Sequence, residues 1–339
     1  MTQKFPVIAL KGDSYEIGFS HGLKCRNLIE KNIKLYSQLF DLKKEKIFDL
    51  ASHFKKNILN FNKNYSIEIE AIAEGAGVDS EWIYALNART EIINRSIDEC
   101  SSVFFKSSAI LGQNWDWLQE SEDLGIVLNI EYENGLKILT MTEPGIIAKI
   151  GLNNHGLGVC LNYLNVSKAS KGIPVHILLR RILESKSIEE AISIVDPHSN
   201  GTASNVLIAD KSGNYVDLEL AVDNVFFHHS KENIFIHTNH FLAEGFDSSA
   251  EDFAGSISRY NRASVIAKNL SGSSNEDMKL ILLDETDKDL PICRKFDLIE
   301  DFGNLGTVTT IIMDLKNQVM ELTRGNPFEN NFENLTLIS

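Results

Sequence analysis

The residues with chemistry to offer begin at Cys100, in "NRSIDECSSVFFK" (94–106), and at Asp116, in "LGQNWDW" (111–117). Cys100 stands where a charged, helical stretch gives way to short β-rich runs, and Asp116 follows 16 positions later between Trp115 and Trp117. A free cysteine is usually a small buried hydrophobe, and Cys25, Cys160 and Cys293 take that reading. Cys160 lies inside the apolar strand pattern "GLGVCLNYL", where a thiolate is disfavoured. A nucleophilic cysteine needs a base, an orienting group and oxyanion donors. Cutting the Glu99–Cys100 bond would supply the base. Cys100 would then carry an α-amine of pKa roughly 7.7–8.0, able to take the thiol proton near neutral pH without a histidine. Cys100 can make that cut itself: its sulfur attacks the Glu99 carbonyl, acyl shift gives a thioester, and water releases the new N-terminus.

The elements that position these residues are legible from periodicity. Residues 14 to 97 carry apolar residues at helical spacing, as in "NLIEKNIKLYSQLFDL" and "SEWIYALNARTEII". From Cys100 on, "SSVFF", "SAILGQNW", "LGIVLNIEY" and "LKILTMTE" read as strands, with turns at "ENGLKI" and "NNHGLG". Helix returns in "PVHILLRRILESKSIEEAISIV", where Pro174 suits a first turn and Ser187 with Glu190 a capping box. Strands follow at "SNVLIAD", "YVDLELAV", "NVFFHH" and "NIFIHT", a helical block at 256 to 284, and a last hairpin from "TVTTIIMDL" and "QVMELT". Blocks of strands alternating with blocks of helices predict antiparallel sheets with helices layered on them, an α+β fold. Repeats, low-complexity linkers and nucleotide-binding glycine motifs are absent from the sequence.

The 339 residues are 43% hydrophobic and 24% charged, an ordinary globular composition. A net charge of -14 argues against nucleic acid and anionic membrane surfaces as partners. No apolar run reaches the ~18 residues that span a bilayer, and the opening "MTQKFPVIALKGDS" lacks the apolar stretch of a secretory signal. The expectation is a cytoplasmic protein with four reduced thiols.

The strings "NARTE" (Asn87 to Glu91), "ECSS", "GQNWDW" and "HTNHF", in this order over most of the chain from about 80 to 325, resemble the acyl-CoA:isopenicillin N acyltransferase family, a branch of the N-terminal-nucleophile hydrolases. The resemblance implies a single domain over 1–339 with a four-layer αββα sandwich, processed into 1–99 and 100–339. It implies Cys100 as nucleophile and, through its new α-amine, as its own base. Asp116 would orient that amine, and Asn239 of "HTNHF" would donate its side-chain amide to the oxyanion. More distant bile-salt hydrolase relatives add Asn162 of "CLNYL" as a second oxyanion donor and Arg259 of "SISRYNR" as an arginine near the nucleophile. Arg89 and Glu91 are expected to brace the cleavage region rather than touch substrate. Turn roles are the alternatives for Asp116, Asn239 and Asn162, and a surface position for Arg259. The chain departs from the family pattern at Glu99 and Ser101, where a small residue and a threonine are usual; both bear on self-cleavage.

The implied reaction passes an acyl group, taken from a small-molecule amide or thioester, through a cysteinyl thioester to water or an amine acceptor. The implied enzyme needs no bound cofactor and no metal, and a coenzyme A thioester is admissible as acyl donor. Three rivals stand beside this reading. The four histidines at 228, 229, 237 and 240 could suggest zinc, although His237 and His240 would face opposite sides of a strand. A papain-like enzyme would use intact Cys100 with a distant histidine, but its local cysteine signature is absent. An unprocessed binding protein could keep the fold.

Overall fold

The computed structural model describes residues 4–93, 100–164, 172–196, 201, 203–221, 224–245, 254–299 and 303–338. Its first half runs β1 (Val7–Gly12), α1 (Ser14–Leu39), α2 (Lys44–Phe61), α3 (Lys63–Ala76), α4 (Ser80–Asn87), α5 (Arg89–Ile92), β2 (Cys100–Phe105), β3 (Ile110–Leu118), β4 (Ile126–Tyr132), β5 (Lys137–Thr142), β6 (Ile150–Asn153) and β7 (Leu157–Tyr163). Then come α6 (Val175–Leu183), α7 (Ile188–Ser193), β8 (Ser204–Asp210), β9 (Tyr215–Leu220), β10 (Val225–His228), β11 (Ile234–His237), α8 (Ala254–Ala267), α9 (Asn275–Leu282), β12 (Asp297–Ile299), β13 (Gly303–Asp314), β14 (Val319–Leu322) and β15 (Glu333–Thr336).

Two sheets form. One has the strand order β1-β4-β5-β6-β7-β8-β9-β10; the other runs β11-β2-β3-β13-β14-β15, with β12 on β13. Strand alternation decides which side chains meet which layer. In β4, Ile126, Leu128 and Ile130 join the core shared with α1 to α7, while Val127 turns inward to the second sheet. In β2, Phe104 enters the space between the sheets, whereas Val103 and Phe105 pack on Ala263 of α8 and on Met278 and Ile281 of α9. The layers are therefore helix, sheet, sheet, helix: the α+β four-layer αββα sandwich implied by the resemblance. Among the described residues, no helix is long and apolar enough to cross a membrane.

Several local expectations need correction. β1 went unread because it is a single parallel strand, paired only with β4, with neither a hairpin turn nor a second run beside it. The 256–284 block is two helices, broken where Gly272 takes φ +63°. The 174–195 block also splits: Pro174 is the N-cap of α6 rather than part of its first turn. At α7 the Ser187 hydroxyl accepts the Glu190 N–H at 3.3 Å, but the Glu190 carboxylate takes the Lys186 N–H at 2.9 Å. Only half of the capping box forms. The strands read at "NVFFHH" and "NIFIHT" part company, β10 joining the larger sheet and β11 the edge beside β2.

Within the helical layer α1 packs tightly on α3. A Cβ on Gly22 would sit 2.1 Å from the Ile72 carbonyl oxygen and 2.8 Å from the Ala76 nitrogen, and one on Gly18 2.2 Å from the Glu68 carbonyl oxygen. Those neighbours are backbone and cannot turn aside, so the helices would have to separate. Gly22→Ala is expected to destabilise the protein by about 1–3 kcal/mol, the usual cost of overpacking a core, read as a lowered midpoint in thermal or urea unfolding. An unchanged midpoint would show that the two helices are not locked at this crossing.

Candidate active site

Cys100 is the first residue of β2, and its main chain is held on both sides of Cα. Its N–H donates to Asn239 Oδ1 at 2.9 Å, and its carbonyl accepts from Arg259 Nη1 at 2.6 Å. Arg259, buried on α8, also donates from Nη1 to Ser101 Oγ (2.9 Å) and from Nη2 to Asn239 Oδ1 (2.8 Å). The side-chain amide of Asn239 donates to the Tyr163 carbonyl at 3.0 Å, and its backbone N–H to Ser256 Oγ at 2.7 Å. Cys100, Asn239 and Arg259 thus come together from β2, the segment after β11, and α8. Arg259 is not a surface residue. Asn239 meets Cys100 with its side-chain carbonyl oxygen, an accepting contact that the expected amide-donor role did not include. The Glu99 side of the expected cut lies outside the described residues.

Asp116 joins this group from β3. It is in register with Thr307 of β13, next to a shift in register between Thr307 and Thr309; bulges of this kind re-aim side chains beside functional sites. Burial pushes its carboxyl up to about 7, against the Arg259 charge and the Thr307 hydroxyl. Among the described residues its buried Oδ1 has no hydrogen-bond partner, an arrangement that costs free energy unless a donor arrives. Burial also raises the Cys100 thiol, and the Asp116 carboxylate adds to the rise, while the Lys149 charge, the Asp116 backbone N–H and the Arg259 charge oppose it.

Asn162 is elsewhere. Its amide donates to Ser102 Oγ (2.9 Å), Asn205 Oδ1 (3.2 Å) and the His237 carbonyl (3.2 Å), and its carbonyl accepts from Gln113 Nε2 at 3.2 Å. The alternation of β7 sends Leu161 and Tyr163 to the pocket wall and Asn162 away from it. Both amide protons are spent in the polar network between the sheets, so Asn162 ties them together rather than serving as the expected oxyanion donor.

The pocket beside Cys100 has walls of Trp115, Trp117, Ile93, Leu161 and Tyr163, with Arg89, Thr90, Asp116, Lys149 and Ser204 as its polar lining. It holds about 60 Å³, less than the ~150 Å³ apolar cavity that takes up benzene, so a bulky substrate requires its walls to part. Arg89 lines this pocket instead of merely bracing the chain. Glu91 Oε1 accepts the Val175 N–H at 2.9 Å, at the start of α6; residues 94–99 of the cleavage region lie outside the described residues.

Glu143 and Lys149 were not singled out in the sequence. Glu143 is buried and accepts from Tyr36 Oη at 2.5 Å, pairs with Arg89 Nη2 at 2.9 Å and with Lys149 Nζ at 3.3 Å. The Arg89 guanidinium also stacks 5.1 Å from the Trp117 ring centre, and Lys149 Nζ lies 2.9 Å from that of Trp115. The signal was there: a glutamate and a lysine, six residues apart, inside the otherwise apolar run "TMTEPGIIAKIGL". The loop between β5 and β6 that carries them is pinned from the helical layer. Asn32 donates to the Pro144 carbonyl (2.9 Å), Asn87 to the Gly145 carbonyl (2.8 Å) and Arg180 to the Ile147 carbonyl (2.7 Å).

The histidines hold structure. His228 and His237 both reach Glu219, at 2.8 and 2.9 Å. Burial would raise the Glu219 carboxyl, but those two histidines and the Leu242 N–H outweigh it and lower it to about 2. Glu219 also accepts the Ala243 N–H at 3.1 Å, so it clamps the segment that presents Asn239. Among the described residues, no group of three or more His, Cys, Asp or Glu could hold a metal ion. β11 ends at His237, so His240 is not on that strand.

Among solved structures, an N-acylethanolamine-hydrolyzing acid amidase ortholog of Caenorhabditis elegans is similar at 15% identity, covering 64% of this chain and 93% of its own, with a TM-score of 0.47. Penicillin V acylase of Agrobacterium tumefaciens is similar at 12% identity, covering 70% and 86%, also at 0.47. In sequence, the acyl-coenzyme A:6-aminopenicillanic-acid-acyltransferase 40 kDa form of Emericella nidulans is 29% identical over 334 residues, 94% of this chain and 92% of that protein. The family model for acyl-coenzyme A:6-aminopenicillanic acid acyl-transferase matches residues 103–329, and the chain belongs to that family.

Proposed function

We propose that this enzyme is a self-processing N-terminal cysteine amidohydrolase or acyltransferase, one domain cut between Glu99 and Cys100 into residues 1–99 and 100–339. The observation that carries the reading is the position of Cys100. It heads a strand with its nitrogen held by Asn239, beside a buried carboxylate whose Oδ1 has no donor among the described residues. A new α-amine at Cys100 would be that donor. Once free, the amine takes the thiol proton and the sulfur attacks the carbonyl carbon of a small-molecule amide or thioester. The tetrahedral oxyanion needs an N–H. Asn239 Nδ2 carries two and directs one at the Tyr163 carbonyl, so the second can serve. Collapse expels the amine or thiol leaving group, which takes the proton back from the α-ammonium. Water or an amine acceptor then attacks the cysteinyl thioester with the α-amine again as base. Family membership and the name of the Emericella nidulans relative support a coenzyme A thioester as acyl donor and an amine as acceptor.

Two experiments test this. Intact mass of the purified wild type should show two associated chains, ending at Glu99 and beginning at Cys100, while Cys100→Ala should remain one chain without activity. A fully active wild type that stays uncut rules out the α-amine as base. The second concerns Asp116, whose negative charge favours the ammonium and so raises the amine pKa. Asp116→Asn keeps the shape but removes the charge. Turnover should fall about tenfold or more, as for a weakened general base, and the rising, acid-side limb of the pH–rate profile, which reports the amine, should move to lower pH. An unmoved profile with normal turnover would take Asp116 out of the reaction.

A further inference from the structure

Self-cleavage at Glu99–Cys100, the reading on which this inference rests, must begin before the α-amine exists. In the uncut chain the Cys100 nitrogen is an amide, its N–H given to Asn239 Oδ1, and an amide nitrogen is no base. Another group has to take the thiol proton. Arg89 stays protonated in proteins. Asp116, which lines the same pocket, faces the Arg259 charge and the Thr307 hydroxyl, and both weaken its hold on a proton. Glu143 has its oxygens occupied by Tyr36, Arg89 and Lys149. Lys149 is left, and its place is favourable. Trp115 is the cross-strand partner of Cys100, so the two side chains rise from one face. Lys149 Nζ rests against that indole at 2.9 Å and lines the same pocket as Cys100.

We propose that Lys149 is the proton acceptor that activates Cys100 for self-cleavage, a role that ends once the α-amine has formed. The Cys100 S–H proton passes to Lys149 Nζ, and the Sγ–C bond forms at the Glu99 carbonyl carbon. The C–N bond then breaks, the nitrogen taking the proton from the Lys149 ammonium to become the α-amine. Glu99 is left as a thioester on Sγ. Water hydrolyses it to the Glu99 carboxylate and restores the thiol, with no oxidant or reductant involved. Burial holds Lys149 well below the usual lysine range, the Arg89 charge adding to the effect and Glu143 and Cys100 opposing it, so the neutral amine is reached at lower pH. His176, which burial holds well below the usual histidine range, is not among the residues that line the Cys100 pocket.

The test is a time course of cleavage, by intact mass, of full-length chain made by cell-free translation at several pH values. The wild-type rate should rise with pH as Lys149 loses its proton. Lys149→Arg keeps a cation beside Glu143 but cannot accept a proton, and Lys149→Met removes the charge. Both should be cleaved at least about 100-fold more slowly, the scale of a lost general base, with the pH dependence gone. Thermal unfolding against Cys100→Ala identifies which variants are folded, and either folded variant decides. Wild-type cleavage rates in Lys149→Arg or Lys149→Met overturn the proposal. A wild type that never cleaves overturns the self-processing reading itself, and this inference with it.

Discussion

The backbone of Cys100 is the point from which the rest of the site is measured. One arginine, buried between α8 and β2, donates to the Cys100 carbonyl, to the Ser101 hydroxyl and to the carbonyl of Asn239, and Asn239 in turn takes the Cys100 N–H. A buried guanidinium without partners would be costly. Distributing its N–H groups over three elements makes α8, β2 and the segment after β11 mutually dependent. That segment is clamped again by Glu219, which takes two histidines and two backbone N–H groups. Where Cys100 sits is therefore set by polar satisfaction more than by apolar packing.

A second buried constraint faces the first across the pocket. Arg89 and Lys149 share the carboxylate of Glu143, which the Tyr36 hydroxyl also reaches. Removing one member of such a cluster leaves an uncompensated charge and typically costs 3–5 kcal/mol, which explains why the β5–β6 loop is tethered by Asn32, Asn87 and Arg180 so closely. The helical layer, through the crossing of α1 and α3, holds α4 and α5 and hence Arg89. Fold and chemistry meet in this network. The sandwich supplies two sheets, and the ends of their strands with α5 supply the pocket.

Much of this was legible in the chain. The change of period at Cys100 marked the first strand of the second sheet, because local period reports local structure; "NWDW" and "HTNHF" marked Asp116 and Asn239 through their resemblance to the acyltransferase family. What escaped depends on pairing at a distance. β1 has only one partner strand, far along the chain. Asn162 and Asn239 look alike in sequence, each an asparagine near a strand end; only the pairing of β7 with β8 and the approach of β2 and β3 show that Asn162 is used up between the sheets. Glu143 and Lys149 sit in an apolar run whose two charges make sense only when Arg89 is brought to them by the helices. Of the four histidines close in sequence, His228 and His237 share the carboxylate of Glu219.

The most direct measurement of the account is tandem mass spectrometry of enzyme quenched during turnover with an acyl donor. The acyl mass should be found on the thiol of Cys100 in a fragment that begins at Cys100, with its α-amine free. An acyl group carried on a chain still continuous through Glu99–Cys100, or on any other residue, would contradict it.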